Sequence, residues 1–180
     1  ENLRYLPSVS ETSTASASTP QYYVYGYDGI STSEAKATAN YATYGVLYNI
    51  TAALNECPAG WHLPSDAEWK ELEDYLNCYP YNDLAGNKLK EAGSAHWVTP
   101  SGLSTFNQST DETGFTALPG GKFGGSSFGQ LGSQGYWWTS TVSTTPTGNH
   151  NSVLMHCDFS YLRQGQSLDQ SALAIRCIKD

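Results

Sequence analysis

Cys57, Cys78, Cys157 and Cys177 are the side chains here most able to make or break covalent bonds, and no two stand close in sequence. Zinc ribbons and dithiol redox centres need Cys-x-x-Cys pairs, and the chain has none. An even number of widely spaced cysteines reads as one or two disulfides in an oxidising compartment. None has a base at motif spacing, so no catalytic thiolate is expected. His62, His96, His150 and His156 are scattered, with no His-x-x-x-His or His-Glu-x-x-His pair to hold zinc. His62, between Trp61 and Leu63, reads as a hydrogen-bonded framework residue. Asn107, Asp111 and Glu112 offer hard oxygen donors in one loop and are candidates for a structural calcium ion. Their spacing fits no EF-hand, and Asn/Asp-rich loops commonly serve as turns. No other cofactor is expected. Asp66, Glu68, Glu71, Glu73 and Asp74 fall on a helical face opposite Trp69, Leu72 and Leu76, which makes a solvated face rather than an acid–base pair. The glycine-rich stretch 120–132 lacks the Lys-Ser/Thr ending of a phosphate loop. It reads as a surface loop tucked down by Phe123 and Phe128.

Recognition chemistry is a different matter. Residues 142–172 mix aromatic, amide and charged side chains without a clean period. A ligand face needs rigid aromatics beside adaptable polar groups, and His150, Asn151, His156, Phe159, Tyr161, Arg163 and Gln164 supply both. An irregular hairpin with solvent-facing side chains fits the same residues equally well.

The elements that would position these groups follow from local pattern. Residues 8–20 are a low-complexity Ser/Thr/Ala stretch expected at the surface. Residues 22–27 and 45–50 have the composition of strands, and residues 31–41 fit either a short helix or a loop. Ser65 with Glu68 three residues on is a capping box, so a helix starts there. It carries Trp69, Leu72 and Leu76 inward and is expected to close at Cys78, before Pro80. A second helix is expected over 83–92, with Gly93 as its cap. Beyond it, short strands are expected at 114–118, 135–140, 152–157 and 173–178. Trp137 and Trp138 alternate across a strand, which puts one in the core and leaves the other for an edge or a binding surface. The pattern predicts one α+β domain over 1–180, with two helices, short antiparallel sheets and long loops.

Composition sets the limits. Only 14% of the 180 residues are charged and the formal net charge is −8, with no Lys/Arg cluster. Such a chain repels phosphate backbones, so nucleic acid is excluded as a partner. No apolar run is long enough to span a bilayer. A surface of hydroxyls, amides and phenols suits export. No secretory leader precedes Glu1, so an exported protein of this sequence is expected to be trimmed or part of a longer chain.

Several ordered pieces resemble a known family. They are Tyr44-Gly45-Val46-Leu47-Tyr48-Asn49, then Cys57-Pro58-Ala59-Gly60-Trp61-His62-Leu63-Pro64-Ser65-Asp66-Ala67-Glu68-Trp69, and Lys88-Leu89-Lys90. Thr113-Gly114-Phe115-Thr116-Ala117-Leu118-Pro119-Gly120-Gly121, Gly135-Tyr136-Trp137-Trp138-Thr139-Ser140-Thr141 and Ile175-Arg176-Cys177-Ile178-Lys179-Asp180 complete them. Together they resemble the Fibrobacter succinogenes major paralogous domain, from one end of the chain to the other. The resemblance implies a C-type-lectin-like fold and a place among the surface proteins and lipoproteins of Bacteroidetes and their relatives. It therefore implies an extracellular, outer-membrane or periplasmic location. It also implies that the segments of Cys57 and Cys177 lie side by side and can be bonded, with two buried free thiols as the alternative, while Cys78 and Cys157 fit a second bond or free thiols equally well.

Lectin-like proteins that bind sugar through calcium carry Glu-Pro-Asn or Gln-Pro-Asp, and this chain has neither. Formylglycine-generating enzymes carry a close pair of late cysteines, which Cys157 and Cys177 do not match. Variable proteins of diversity-generating retroelements use the surface before the last strand as a tolerant binding face, and this comparison favours a recognition role for 142–172. The expected function is therefore non-enzymatic binding of an extracellular protein or glycan, in an adhesion-like role. A structural tip domain of a surface appendage and an enzyme akin to the formylglycine generators are the alternatives.

Overall fold

Local chemistry divides the first third of the chain into shorter pieces than its β propensity suggests. In the computed structural model, which describes residues 1–76, 84–98, 109–144 and 148–180, β1 (Tyr22–Tyr23) pairs antiparallel with β2 (Leu47–Tyr48). β1 ends early because Tyr27 N–H turns back to the Val24 carbonyl, with Gly26 at positive φ. Residues 31–41 take the helical option. Ser31 caps α1 (Thr32–Lys36) and Thr38 caps α2 (Ala39–Tyr44), each hydroxyl accepting a backbone N–H of the first turn. Asn49 halts β2 in the same way, its Oδ1 accepting from Ala52 N–H at the head of α3 (Ile50–Ala53).

β3 (Trp61–His62) leads into α4 (Asp66–Tyr75), which opens on the expected Ser65/Glu68 capping box. Its expected close at Cys78 and Pro80 lies outside the described residues. α5 (Ala85–Leu89) is shorter than the predicted 83–92, because Lys90 leaves the helix for extended backbone and bridges Ala117. The remaining strands are β4 (Lys122–Phe123), β5 (Phe128–Gly129), β6 (Gln134–Val142), β7 (Asn149–His156), β8 (Arg163–Leu168) and β9 (Ile178–Lys179). β4 and β5 form a hairpin, β6–β7–β8 an antiparallel sheet, and β9 pairs with β3.

The fold is α+β with several short antiparallel sheets, as the pattern predicts, but the two expected helices are five short ones among the described residues. Two predicted strands are also corrected. Residues 114–118 give only the bridge of Ala117 to Lys90, because Asp111 accepts hydrogen bonds from Thr116 N–H and hydroxyl and holds that stretch in a turn. Residues 173–178 run as single bridges to Tyr48 and Trp137, and only Ile178 joins a ladder.

Strand alternation makes β6 the partition of the molecule. Trp137 enters a core with Trp69, Leu89, Trp97, Val153 and Met155. Trp138 enters another, on the opposite face, with Val24, Tyr48, Ile50 and Ile175. Both rings are almost wholly buried, so neither forms an edge or a binding surface, contrary to expectation. Each indole N–H finds an acceptor, Asn2 Oδ1 for Trp137 and the Tyr48 carbonyl for Trp138. Removing either ring is expected to cost about 3–5 kcal/mol. Gly135 is required beside them, since a Cβ there would lie 2.5 Å from the Trp137 ring.

The chain ends are tied into this frame. Cys57 and Cys177 are disulfide-bonded across a sequence separation of 120, and Leu3 N–H donates to the Ile175 carbonyl. His62 sits at the same junction as the expected framework residue, 2.7 Å from both Asp180 and Glu68. The low-complexity stretch 8–20 is pinned rather than free. Asn49 donates to the Ser16 and Thr19 carbonyls, and Thr51 donates to that of Ala17.

Two outcomes follow from this junction. Replacing Cys57 and Cys177 together by Ser should lower the urea-unfolding free energy by about 2–5 kcal/mol, and unchanged stability would contradict it. Hydrogen bonds to Asp180 first, and then to Glu68, raise the His62 pKa above its ordinary 6.5. The stability His62 contributes is therefore complete below that value and is lost as pH rises through the raised one. An NMR titration placing His62 at or below its ordinary value would contradict this.

Candidate functional site on the edge strand and its approach

The candidate ligand residues come from two strands and the turn between them, and pairing register decides which of them meet. β7 and β8 pair with Asn151 opposite Gln166, Val153 opposite Gln164 and Leu154 opposite Arg163. Alternation then puts Asn151, Gln164 and Gln166 on one face, and His150, His156 and Arg163 on the other. The seven expected residues are therefore not one surface.

The first face carries a polar cavity of about 340 Å³ lined by Asp66, Asn151, Gln164, Gly165 and Gln166. Asp66 is its anchor. One carboxylate oxygen accepts from the Thr139 hydroxyl at 2.7 Å and the other from Asn151 Nδ2 at 2.6 Å. Asp66 N–H donates in turn to the Thr141 hydroxyl, so the first turn of α4 is fastened to β6 and β7. Gln164 and Gln166 stand exposed on β8. A carboxylate flanked by amides offers both donors and acceptors, which suits hydroxyl-bearing or peptide ligands. Sequence reasoning counted Asp66 among the solvated carboxylates and passed over Gln166. Only the three-dimensional pairing of α4 with β7 brings them in. Glu68 is likewise held, by Ser65 and His62, and not simply solvated.

The turn between β7 and β8 carries the aromatic part. Phe159 stacks on Tyr161 with centroids 5.1 Å apart and lies tilted against His156 at 4.9 Å, and Phe159 is exposed. Lys90 holds this turn from below. Fully buried, its ammonium donates to the His156 and Phe159 carbonyls at 2.6 Å each and lies over the Trp97 ring. Burial pushes its pKa down to about 8. Gly86 permits the close approach of α5, because a Cβ there would sit 2.6 Å from the Tyr161 carbonyl oxygen. No sequence signal marked Lys90 as a clamp, since a lysine in Lys-Leu-Lys reads as surface.

His150 belongs to the frame. It is hydrogen-bonded to Asp169 at 2.8 Å and mostly covered, and Arg163 is exposed on the same side of the sheet. Cys157 is a buried free thiol, so the second disulfide expected with Cys78 is not formed, and Cys78 itself lies outside the described residues. Burial, and then Asp158, push the Cys157 pKa up to about 11, which leaves it protonated and unreactive at neutral pH. His156, Cys157 and Asp158 hold their donor atoms within 4.8 Å of one another, the spacing of a metal site. Those atoms are committed internally, however: Asp158 N–H donates to His156 Nδ1 and the thiol donates to Asp158. Of the calcium candidates, Asn107 lies outside the described residues. Asp111 is spent on the Thr116 turn, and Glu112 pairs with Lys88 at 3.5 Å.

Residues 1–179 match the family described as the Fibrobacter succinogenes major domain. No curated protein and no solved structure matches the chain.

Lys90→Ala removes both donors from the turn and leaves a void, so it should cost about 2–4 kcal/mol. It should also speed amide exchange across 156–161. A variant with native stability and native exchange there would contradict the clamp.

Proposed function

The chain belongs to the Fibrobacter succinogenes major domain family, and on that premise we propose that it is an exported recognition module that binds a protein or glycan and catalyses no reaction. The binding surface is the polar and aromatic region near the C-terminus: the polar groups that the register puts on one face of β7 and β8, with the aromatic side chains of the turn between those strands. Asn151, Gln164 and Gln166 with Asp66 read polar groups, and the exposed part of Phe159, held between His156 and Tyr161, adds an apolar contact in the turn. The observation that carries this reading is the exposure of Gln164 and Gln166 beside a carboxylate already held in place. Preorganised polar groups and a ring held by its neighbours combine specificity with low ordering cost. The reading takes the fold as C-type-lectin-like, supported by the bond between the segment before α4 and the C-terminal segment and by the late polar hairpin. It places the protein at the cell surface, outside the cell or in the periplasm, supported by the disulfide.

One observation favours the structural alternative. Among the described residues β8 pairs only with β7, so its outer edge can accept a strand from a neighbouring subunit of an appendage. A defined oligomer in solution scattering that is dispersed by a proline at Gln166 would support that role.

A glycan array and a panel of surface-protein fragments, probed with the native protein and with a Phe159→Ala/Gln164→Ala/Gln166→Ala variant, test the recognition reading. The variant should keep its melting temperature within about 2 °C and lose about 10-fold or more in affinity for whatever the native protein binds. Undiminished binding, or unfolding of the variant, would contradict it.

A further inference from the structure

A second cavity, of about 420 Å³, opens between α4 and the turn at 114–116, away from the edge strand. Pro64, Trp69, Leu72, Phe115 and Ile178 give it apolar walls. Trp69 and Phe115 meet edge to face at 5.8 Å. Its size is that of a small-molecule site.

One wall is a cation. Arg176 lies with its guanidinium carbon 3.9 Å from the centre of the Phe115 ring. Its Nε donates to Asn2 Oδ1 at 3.0 Å, one terminal nitrogen donates to the Phe115 carbonyl, and the other donates to that of Thr116 at 2.9 Å. These bonds use three of the five guanidinium N–H groups. Among the described residues no carboxylate lies within ion-pair distance of Arg176, and Asp111 and Glu1 act on its charge only from beyond that range. A guanidinium partly removed from water without a counter-ion is costly, and a partner carboxylate relieves that cost.

The surroundings hold Arg176 in place without neutralising it. Thr116 keeps a left-handed backbone, φ 50°, a conformation that a β-branched residue resists. Asp111 fixes it there through the Thr116 N–H and hydroxyl, which aims the Thr116 carbonyl at the guanidinium. Two acids line the cavity, Glu68 and Glu1. Glu68 has one oxygen on His62 and the other on Ser65, so its charge is already engaged, and Glu1 stands beyond ion-pair distance of Arg176. Among the described residues the buried indole N–H of Trp69 has no hydrogen-bond partner, an uncommon state for a core tryptophan.

We propose that this cavity is a ligand site for an apolar carboxylate, the apolar body lying against Trp69, Leu72 and Phe115 and the carboxylate meeting the uncommitted N–H groups of Arg176. The chemistry is shared by free aryl or alkyl acids and by a peptide that ends in an apolar residue. The site is independent of the edge-strand face, so either can fail without the other.

Calorimetry with 3-phenylpropionate and its neutral amide, alongside a short peptide ending in Phe as the free acid and as the C-terminal amide, tests the proposal. Trp69 indole N–H shifts in NMR locate the binding. At least one acid should saturate by about 10 mM, with its amide about 10-fold weaker or worse, and which acid does so identifies the source. Leu72→Trp fills the cavity at a half-buried position. It should abolish binding while keeping the melting temperature within about 3 °C. Acid and amide binding alike, undiminished binding by Leu72→Trp, or no saturation by either acid would overturn the proposal.

Discussion

Two adjacent tryptophans on one strand fix the rest of this protein. Neighbouring residues of a strand point to opposite faces, so burying both Trp137 and Trp138 requires apolar cover on both sides of β6. The early segments supply one cover, with Tyr48 and Ile50 meeting Trp138. α4, α5 and the Trp97 region supply the other, with Trp69 and Leu89 meeting Trp137. Short elements suffice because each needs only to place one or two side chains against a large ring. The disulfide and the β3–β9 pairing then hold the C-terminal segment against the same frame, and the Leu3 N–H to Ile175 carbonyl bond holds the N-terminal one.

What this constraint does not require is as informative. β8 contributes only Ser167 to the buried set, while Gln164 and Gln166 are free of packing duty. The turn before β8 is held by backbone contacts to Lys90 and by the close approach at Gly86. The exposed Phe159 ring is therefore not what keeps the turn in place. Separating the side chains that support the fold from those available for contact lets one scaffold carry different binding faces.

The sequence was most legible where one residue type has one physical use. Ser65 and Glu68 mark the start of α4, and the aromatic run at 135–140 marks a strand, though it does not show that both Trp137 and Trp138 are buried. Cys57 and Cys177 are bonded as the family resemblance implied. It was least legible where a polar side chain redirects the backbone from a distance. Asp111 turns 114–118 away from the strand its composition suggests, and Asn49 ends β2 by capping a helix. The candidate face was half legible. Composition placed the candidates on one hairpin, but without the register it merged the two faces of the sheet and put His150 and Arg163 beside Gln164. Asp66 and Lys90 were beyond reach, because their roles depend on partners 85 and 66 residues away.

Native-state hydrogen exchange tests the central claim most directly, since it reads the local free energy of each part separately. Exchange should be slowest at the amides of Trp137, Trp138 and Val153. It should be orders of magnitude faster at the β8 amides that point away from β7 and in the turn before them. Equal protection across β6 and the outer edge of β8, or fast exchange at the two tryptophans, would contradict the account.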